Sequence, residues 1–225
     1  MALLAPVRHG VSSVGGVLLA AATRAAAAVR PAAKPLHPSG RIRQARLYRH
    51  GLNPPLGIGF LDAPGVDEVV VRESRAVGLP QALPDVQGLA LRVPIGDGAY
   101  GDLLLASTGW GKVSRFVLTV SRTTYGRPMT TLLPYRTTAG PLLLGARSVG
   151  HATVELSCAV GDGPWRHFAD LRLSELDADP SVLDERGDIS FDPVLHRVPG
   201  LDQYRWVERL REPAYDEARA DRGES

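Results

Sequence analysis

The stretch VVVRESRAVGLPQALPDVQGLALRVPIGDGAYGDLLLAS, residues 69–107, decides the fold. It opens on three consecutive valines, a β-branched run typical of a buried strand. Two prolines and Asp85 then interrupt regular structure. The elements predicted along it are a strand at 69–71, a strand at 88–94, a turn at 96–98 and a strand at 103–106. The stretch therefore predicts a β-meander that carries charged residues at fixed points.

The charged and small residues of this meander follow a defined order. In sequence they are Arg72-x-Ser74, Gly78, Asp85-x-x-Gly88-x-Ala90-x-Arg92, Gly98 and Asp102-Leu103. This order resembles the core signature of haem catalases, in which an Arg-x-Ser ends one barrel strand, an Asp-x-x-Gly-x-Ala-x-Lys/Arg starts the next, and an Asp-Leu opens a third. The alternative at this point is an unrelated all-β domain whose spacing matches by chance, so the two ends of the chain decide between them.

The segment before the first predicted strand reads KPLHPSG, residues 34–40. In catalases a basic residue precedes the distal histidine by three positions, and a glycine follows it by three. The resemblance therefore makes His37 the distal histidine and Lys34 a residue that binds a haem propionate. It also makes Ser74 the serine that hydrogen-bonds the other ring nitrogen of the histidine and fixes its tautomer. Without the resemblance, a lone histidine in a proline-rich linker is usually only solvated.

The last segment reads WVERLREPAYDEARADR, residues 206–222, a helical composition interrupted at Pro213. Arg211, Tyr215 and Arg222 have the spacing of the proximal motif of catalases. The resemblance implies that Tyr215 is the axial haem ligand, that Arg211 pairs with its oxygen, and that Arg222 contacts a propionate. A separation of four residues places Arg211 and Tyr215 on one helix face, where the guanidinium favours the phenolate that ferric iron binds.

The remaining apolar segments extend the meander into a barrel. The resemblance makes Arg41–His50 the first barrel strand, despite its four arginines. Further strands are predicted at 114–121, 129–135, 141–146, 152–160 and 165–173, the last two as a hairpin. These segments predict a mainly β fold with flanking helices, namely a closed antiparallel eight-stranded catalase-like β-barrel with a C-terminal helix. An interior of that size can hold one small ligand or pack against one face of a cofactor.

Length and composition set the outer limits. A chain of 225 residues fits one large domain, or one domain with tails, and 44% hydrophobic residues are enough for a core. A net charge of +2 argues against nucleic-acid binding. Cys158 is the single cysteine, which excludes an intramolecular disulfide and a cysteine-based zinc site. Within TVELSCAV it is predicted to be a small core residue of a strand.

The N-terminal region is predicted to stand apart from the domain. Residues 1–33 are interpreted as an apolar helix or tail with a linker, and residues 34–225 as the catalase-like haem-binding domain. The apolar run at 11–22 is too short for a standard membrane helix, and Arg8 before it gives some likeness to a signal peptide. A frayed or surface-lying helix is favoured over a cleaved signal. A cytoplasmic protein is therefore expected, with export or membrane association through residues 1–30 as the alternative.

The resemblance implies a haem-dependent peroxidase-like oxidoreductase. Haem b is the implied cofactor, with Lys34, Arg72 and Arg222 binding its carboxylates. The implied substrates are hydrogen peroxide and organic or lipid hydroperoxides, together with an unknown electron donor, and a homo-oligomer is left open. Catalases carry an asparagine just after the Asp-Leu strand, where this chain has Ala106-Ser107-Thr108. That replacement, and a length less than half that of a typical catalase, predict weak catalase activity and a more open haem.

Two other functions compete with the haem enzyme. The first is a non-catalytic β-barrel module that binds haem or an apolar ligand, and the second is a hydrolase. The histidines are His9, His37, His50, His151, His167 and His196, and they show no metal-ligand spacing with acidic residues. No Gly-x-Ser-x-Gly motif occurs either. The haem enzyme is therefore favoured over the binding module, and the binding module over the hydrolase.

Overall fold

The computed structural model describes residues 40–75, 82–150, 152–177, 183 and 189–209. Within these ranges the elements are β1 (Arg41–Arg49), α1 (Gly59–Asp62), β2 (Gly65–Arg75), β3 (Gln87–Gly96), β4 (Ala99–Ser107), β5 (Met129–Thr130), β6 (Tyr135–Thr137), β7 (Gly140–Ser148), β8 (Thr153–Val160) and β9 (Arg166–Asp177). A 3₁₀ turn covers Ser114–Phe116, and residues 205–209 are helical.

The strands form one antiparallel sheet that closes on itself. The neighbours follow the order β4, β3, β2, β1, β9, β8 and β7, and the two-residue β5 then joins β7 back to β4. This ring has eight strands, and β6 pairs with β7 beside it. The prediction of a closed eight-stranded antiparallel barrel, mainly β with short helices, is therefore confirmed.

The barrel interior is a packed core. Alternate residues of each strand point inward, and the bulkiest of them, such as Leu47, Leu91 and Phe168, are at most 1% exposed. Burying a side chain of this size contributes roughly 1.5–3 kcal/mol. Cys158 is one of these core residues in β8, as predicted, and burial raises the pKa of its thiol to about 11.

Ion pairs close both ends of the barrel. At one end Arg49 binds Asp67 with an Nε–Oδ2 distance of 2.7 Å, and at the other Arg43 binds Glu73 with an Nη2–Oε2 distance of 2.7 Å. The Tyr125 hydroxyl donates to Glu73, and burial, together with this hydrogen bond, raises the pKa of Tyr125 to about 12. A cavity beside Tyr125 has a volume of about 10 Å³, room for about one water molecule. Because ligand sites usually measure about 300–1,000 Å³, this cavity gives little support to a ligand inside the barrel.

The basic first strand forms because its partner is acidic. Only Ala45 and Leu47 of β1 are fully buried, which is too short a pattern to predict a strand from hydrophobicity. Its arginines instead meet carboxylates of β2, for example Arg46 with Glu68 at an Nε–Oε1 distance of 2.6 Å. Cross-strand pairs of opposite charge of this kind favour a sheet. The expectation that residues 41–50 form the first barrel strand is therefore borne out for Arg41–Arg49.

The predicted strand at residues 114–121 is wrong. The segment begins as a 3₁₀ turn and then touches its neighbours through single bridges, Thr108 with Leu118 and Asp85 with Ser121. Val117 and Val120, two of the apolar residues that suggested a strand, are more than half exposed. The segment is held by isolated backbone hydrogen bonds, such as Thr119 N to Ser107 O at 2.8 Å, so it runs over the barrel without joining the sheet.

A charged network fixes the segment 189–207 onto the barrel. Arg92 of β3 donates from Nε and Nη2 to the two carboxylate oxygens of Asp102 in β4, each at 2.8 Å. Asp102 is fully buried and also accepts from the backbone N–H of Asp192 at 2.8 Å, while Nδ1 of His196 lies 3.0 Å away. Arg92 further donates to the carbonyl of Ser190 at 2.5 Å. Two residues of the catalase-like signature thus tie a distant segment to the meander.

The close approach of Val198 to Gly101 gives a test of this docking. A β-carbon at Gly101 would lie 2.5 Å from Val198 Cγ2 and 3.1 Å from the Val198 backbone nitrogen, so the backbone itself would have to shift. We expect Gly101→Ala to lower the free energy of unfolding by about 1–3 kcal/mol in urea titrations, as overpacked sites do. Gly59→Ala is the matched control, since no atom lies within 4 Å of its added β-carbon. Equal stability of the two variants would contradict the docking.

Candidate functional site

The outer face of β2 carries the two predicted site residues that the structure describes. Val71 and Glu73 point inward and are buried, so the alternation of the strand places Arg72 and Ser74 together on the outer face. Both are half-buried rather than exposed. The Arg-x-Ser spacing therefore puts a guanidinium and a hydroxyl side by side on one surface.

Strand pairing extends this surface over β3 and β4. Ser74 pairs with Gly88, which pairs with Ala106, and Arg72 pairs with Ala90, which pairs with Leu104. We call these six residues the platform, and all of them are half-buried: Arg72, Ser74, Gly88, Ala90, Leu104 and Ala106. Three strands at the usual separation make it about 10 Å wide. Because three of its members have no side chain beyond a β-carbon, the platform is flat and largely apolar.

Two glycines shape the edges of the platform. A β-carbon at Gly88 would lie 2.7 Å from the Ser74 hydroxyl oxygen, so only glycine leaves the hydroxyl where it is. A β-carbon at Gly40 would lie 2.5 Å from Arg72 Nε, so the guanidinium lies against the backbone of Gly40. The arginine of the platform is therefore positioned beside the residue that ends the predicted distal segment.

Residues of the signature and of β5 surround the platform. Asp85 is fully buried, lies 3.6 Å from Arg75 Nε, and exchanges two backbone hydrogen bonds with Ser121. Thr130 continues the row of Ser74 into β5, where its hydroxyl donates to the carbonyl of Arg115 at 2.7 Å. On the opposite side the network around Asp102 covers the end of β4. These contacts assign structural roles to the outer residues of the signature.

The structure shows how the three residues expected in place of the asparagine are oriented. Ala106 belongs to the platform, in the same row as Ser74. Ser107 is buried, accepts from the backbone N–H of Gln87 at 3.0 Å and donates to the carbonyl of Thr119 at 2.6 Å. Of the residues expected in place of the asparagine, the platform therefore carries the methyl group of Ala106, while Ser107 is used in the core.

The remaining predicted site residues lie outside the residues that the structure describes. They are Lys34, His37, Arg211, Tyr215 and Arg222. Residues 1–30, on which the question of a signal rests, also fall outside the described ranges. Of the predicted C-terminal helix, residues 205–209 are described and are helical. Among the described residues, no helix combines the length and the apolar character needed to cross a membrane.

The sequence analysis missed a group of metal-ligating side chains. His50, His167 and Asp170 come together on the barrel surface, with their ligand atoms within 4.8 Å of one another. The sequence analysis found no metal-ligand spacing between histidines and acidic residues, and it gave no sign that these three residues meet. A three-residue separation in a regular strand places side chains on opposite faces, and the sequence gives no clear signal that the strand is irregular there.

The comparisons with known proteins show a similarity of fold. No protein-family model matches the sequence, and no curated protein matches it. Among solved structures, the chain is similar to a fungal catalase, with a TM-score of 0.58 and 11% sequence identity. The match covers 97% of this chain and 65% of that chain, so this chain spans less than two thirds of the length of that catalase. At such low identity the similarity concerns the fold alone, and the barrel described above has a catalase-like fold.

Proposed function

We propose that this protein is a haem-dependent peroxidase-like oxidoreductase that acts on hydrogen peroxide or on organic and lipid hydroperoxides. The observation that carries the proposal is the platform: in a catalase-like barrel, a flat apolar surface holds Arg72 and Ser74 side by side. The fungal catalase similarity supports the same kind of chemistry.

The platform fits haem b in shape and in charge. Gly88, Ala90 and Ala106 leave a flat surface against which a planar macrocycle can pack, and any larger residue at Gly88 would disturb Ser74. Arg72 supplies a guanidinium, which suits the carboxylates on the rim of haem because it can donate two parallel hydrogen bonds. The residues present therefore match a flat apolar cofactor with anionic substituents.

Residues from both ends of the chain would complete the site. Lys34 and Arg222 would bind haem carboxylates together with Arg72, and Tyr215 would supply a phenolate to the iron, with Arg211 stabilising its charge. Haem, when bound, supplies the iron that accepts and donates the electrons of peroxide cleavage. The chain holds the cofactor and controls what reaches it.

His37 and Ser74 would handle the proton of the peroxide. His37 would accept it from one peroxide oxygen and return it to the leaving oxygen, which is general acid–base work suited to an imidazole. His37 precedes Gly40 by three positions, so the covalent chain alone keeps their α-carbons within about 11 Å. Ser74 would accept from the second ring nitrogen and so hold one tautomer. Because Ala106 offers no hydrogen bond to peroxide, we expect weak catalase activity beside oxidation of an electron donor.

A titration with haemin tests the cofactor and its ligand together. The full chain is expected to bind haemin and to give the high-spin ferric spectrum of a tyrosinate ligand. Tyr215→Phe should lose stable binding or change that spectrum, because it removes the anionic oxygen from the iron. Tyr204→Phe is the matched control, since it also removes a tyrosine hydroxyl near the C-terminal helix.

Three outcomes would count against the proposal. Failure of the full chain to bind haemin would show that it is not a haem protein. An unchanged spectrum in Tyr215→Phe would exclude Tyr215 as the iron ligand. A protein that binds haemin but oxidises no electron donor with any hydroperoxide would favour the alternative, a non-catalytic barrel that binds haem.

A further inference from the structure

A carboxylate on the barrel surface is shared by two histidines. The two oxygens of Asp170 lie 3.0 Å from Nε2 of His50 and 2.9 Å from Nε2 of His167. The two imidazole rings are tilted against each other with their centroids 5.1 Å apart. All three side chains reach solvent: His50 is 49% exposed, His167 42% and Asp170 28%. A solvent-accessible group of two imidazoles and one carboxylate is thus assembled away from the platform.

A β-bulge in β9 creates this arrangement. Leu156 pairs with Ala169 and Ser157 with His167, so Phe168, which lies between them in β9, is not paired with β8. Phe168 and Ala169 are both buried in consequence, and His167 and Asp170 emerge on the same outer face. Bulges re-aim side chains in this way, often at the rims of barrels.

The third member comes from the neighbouring strand. His50 directly follows β1, and its backbone N–H donates to the carbonyl of Phe168 at 2.8 Å. This bond fixes His50 opposite the bulge. The group therefore spans the seam between β1 and β9, and its members lie far apart in the sequence.

The donor set matches a transition-metal ion of intermediate softness. Imidazole nitrogen and carboxylate oxygen bind Zn²⁺, Co²⁺, Ni²⁺ and Cu²⁺ at about 2.0–2.2 Å. Ligand atoms around a tetrahedral ion of that size lie about 3.3 Å apart. Both nitrogen–oxygen distances here are already slightly shorter than that. The ligand atoms all lie within 4.8 Å of one another, so rotation of the two exposed rings would have to bring the two nitrogens to the tetrahedral spacing when the ion binds.

The neighbouring guanidinium groups are directed to other partners. Arg166, beside His167, donates to the carbonyl of Pro54. Arg49, beside His50, binds Asp67 at an Nε–Oδ2 distance of 2.7 Å. Arg172, two residues after Asp170, lies over the Tyr48 ring with its Cζ 4.8 Å from the ring centroid. The cations next to the group in the sequence thus contact other partners, and the carboxylate of Asp170 faces the two histidines.

We propose that His50, His167 and Asp170 form a binding site for a divalent transition-metal ion of the zinc class. Each neutral imidazole would carry its hydrogen on Nδ1 instead of Nε2, so that the Nε2 lone pair binds the ion. His167 Nε2 would thereby exchange its contacts with Asp170 and with the Ala169 carbonyl, 3.0 Å away, for the ion. Three protein ligands leave one tetrahedral position for water, so the ion is exchangeable. The bound ion would link β1 to β9, and the site is independent of the haem proposal.

Titration of the full chain, freed of any affinity tag and of metal, with Co²⁺ tests the site. We expect visible absorption from one tetrahedral ion per chain, which Zn²⁺ displaces. His50→Gln, His167→Gln and Asp170→Asn should each weaken binding at least about tenfold, because each removes a direct ligand. His196→Gln is the matched control, since His196 also lies 3.0 Å from a carboxylate oxygen, that of Asp102. It should bind Co²⁺ like the unmodified chain.

Thermal unfolding provides a second readout that does not depend on colour. Zn²⁺ should raise the Tm of the unmodified chain and of His196→Gln, because an ion that binds the folded state stabilises it by mass action. The same addition should raise the Tm of the three ligand variants less, because their weaker binding gives less stabilisation at the same Zn²⁺ concentration. Absence of Co²⁺ binding by the unmodified chain, or binding of equal strength in all three ligand variants, would overturn the proposal.

Discussion

Asp102→Ala is expected to lower the free energy of unfolding by about 3–5 kcal/mol, the usual cost of breaking a buried ion pair. Asp102 is fully buried and receives hydrogen bonds from Arg92, from the Asp192 backbone and from the His196 ring. Removing the carboxylate leaves the Arg92 guanidinium, itself 17% exposed, without its balancing charge. It also removes the contacts that hold the segment containing Val198 to β4, so this segment and the barrel should unfold in one transition.

Urea unfolding followed by circular dichroism checks this expectation against a surface pair. Asp162→Ala removes a carboxylate 3.7 Å from Lys112, and both side chains are more than 70% exposed. That change should stay within about 0.5 kcal/mol. Adding Arg92→Ala to Asp102→Ala should cost less than the sum of the two single changes, because the residues share one network. Full additivity would show that the ion pair does not hold the segment.

The second large effect concerns the proposed distal pair. His37→Ala is expected to slow peroxide consumption by about 10²–10⁴-fold while haem stays bound, since general acid–base groups contribute that much and the iron is held from its other side. The measurement compares stopped-flow peroxide consumption in haemin-loaded proteins at equal haem content. Full activity in His37→Ala would exclude it as the proton acceptor.

The Ser74→Ala variant tests whether Ser74, on the platform, positions the ring of His37. The change should slow peroxide consumption less than His37→Ala does, because the imidazole remains but is less well oriented. The double variant should be no slower than His37→Ala alone, since residues that act as a unit are not additive. Ser148→Ala, in β7 outside the platform, should leave the rate unchanged. Additive losses of rate would show that Ser74 and His37 act independently, and there would then be no reason to place a distal site on the platform.

The meander and the outward position of its predicted site residues could be predicted because local sequence patterns determine both. Alternation along β2 buries Val71 inside the barrel and places Arg72 on the outer face, so the spacing of Arg72 and Ser74 already implies a shared surface. The valine run and the glycine turn fix where the strands lie. The pairing of Ser74 with Gly88 and Ala106, in contrast, depends on register between strands, which no single strand encodes.

Two failures of prediction have a common physical cause, namely contacts from elsewhere in the chain. Residues 114–121 have a partly alternating apolar pattern, yet Val117 and Val120 are exposed because the segment finds bridge partners instead of a sheet edge. His167 and Asp170 share a face because of a bulge that Phe168 and Ala169 fill. In both cases local sequence preference is overridden by tertiary packing.

The pairing of β1 with β9 has a consequence for how the chain acquires its structure during synthesis. Arg49 pairs with Ala169 and Arg43 with Asp177, so the first strand of the ring meets its second neighbour only after every other strand has been made. Pairings between such distant residues slow folding. Until β9 leaves the ribosome, one edge of β1 has no strand beside it and could recruit another chain. Four of the nine residues of β1 are arginines, and charged side chains along an open strand edge disfavour its pairing with a second copy.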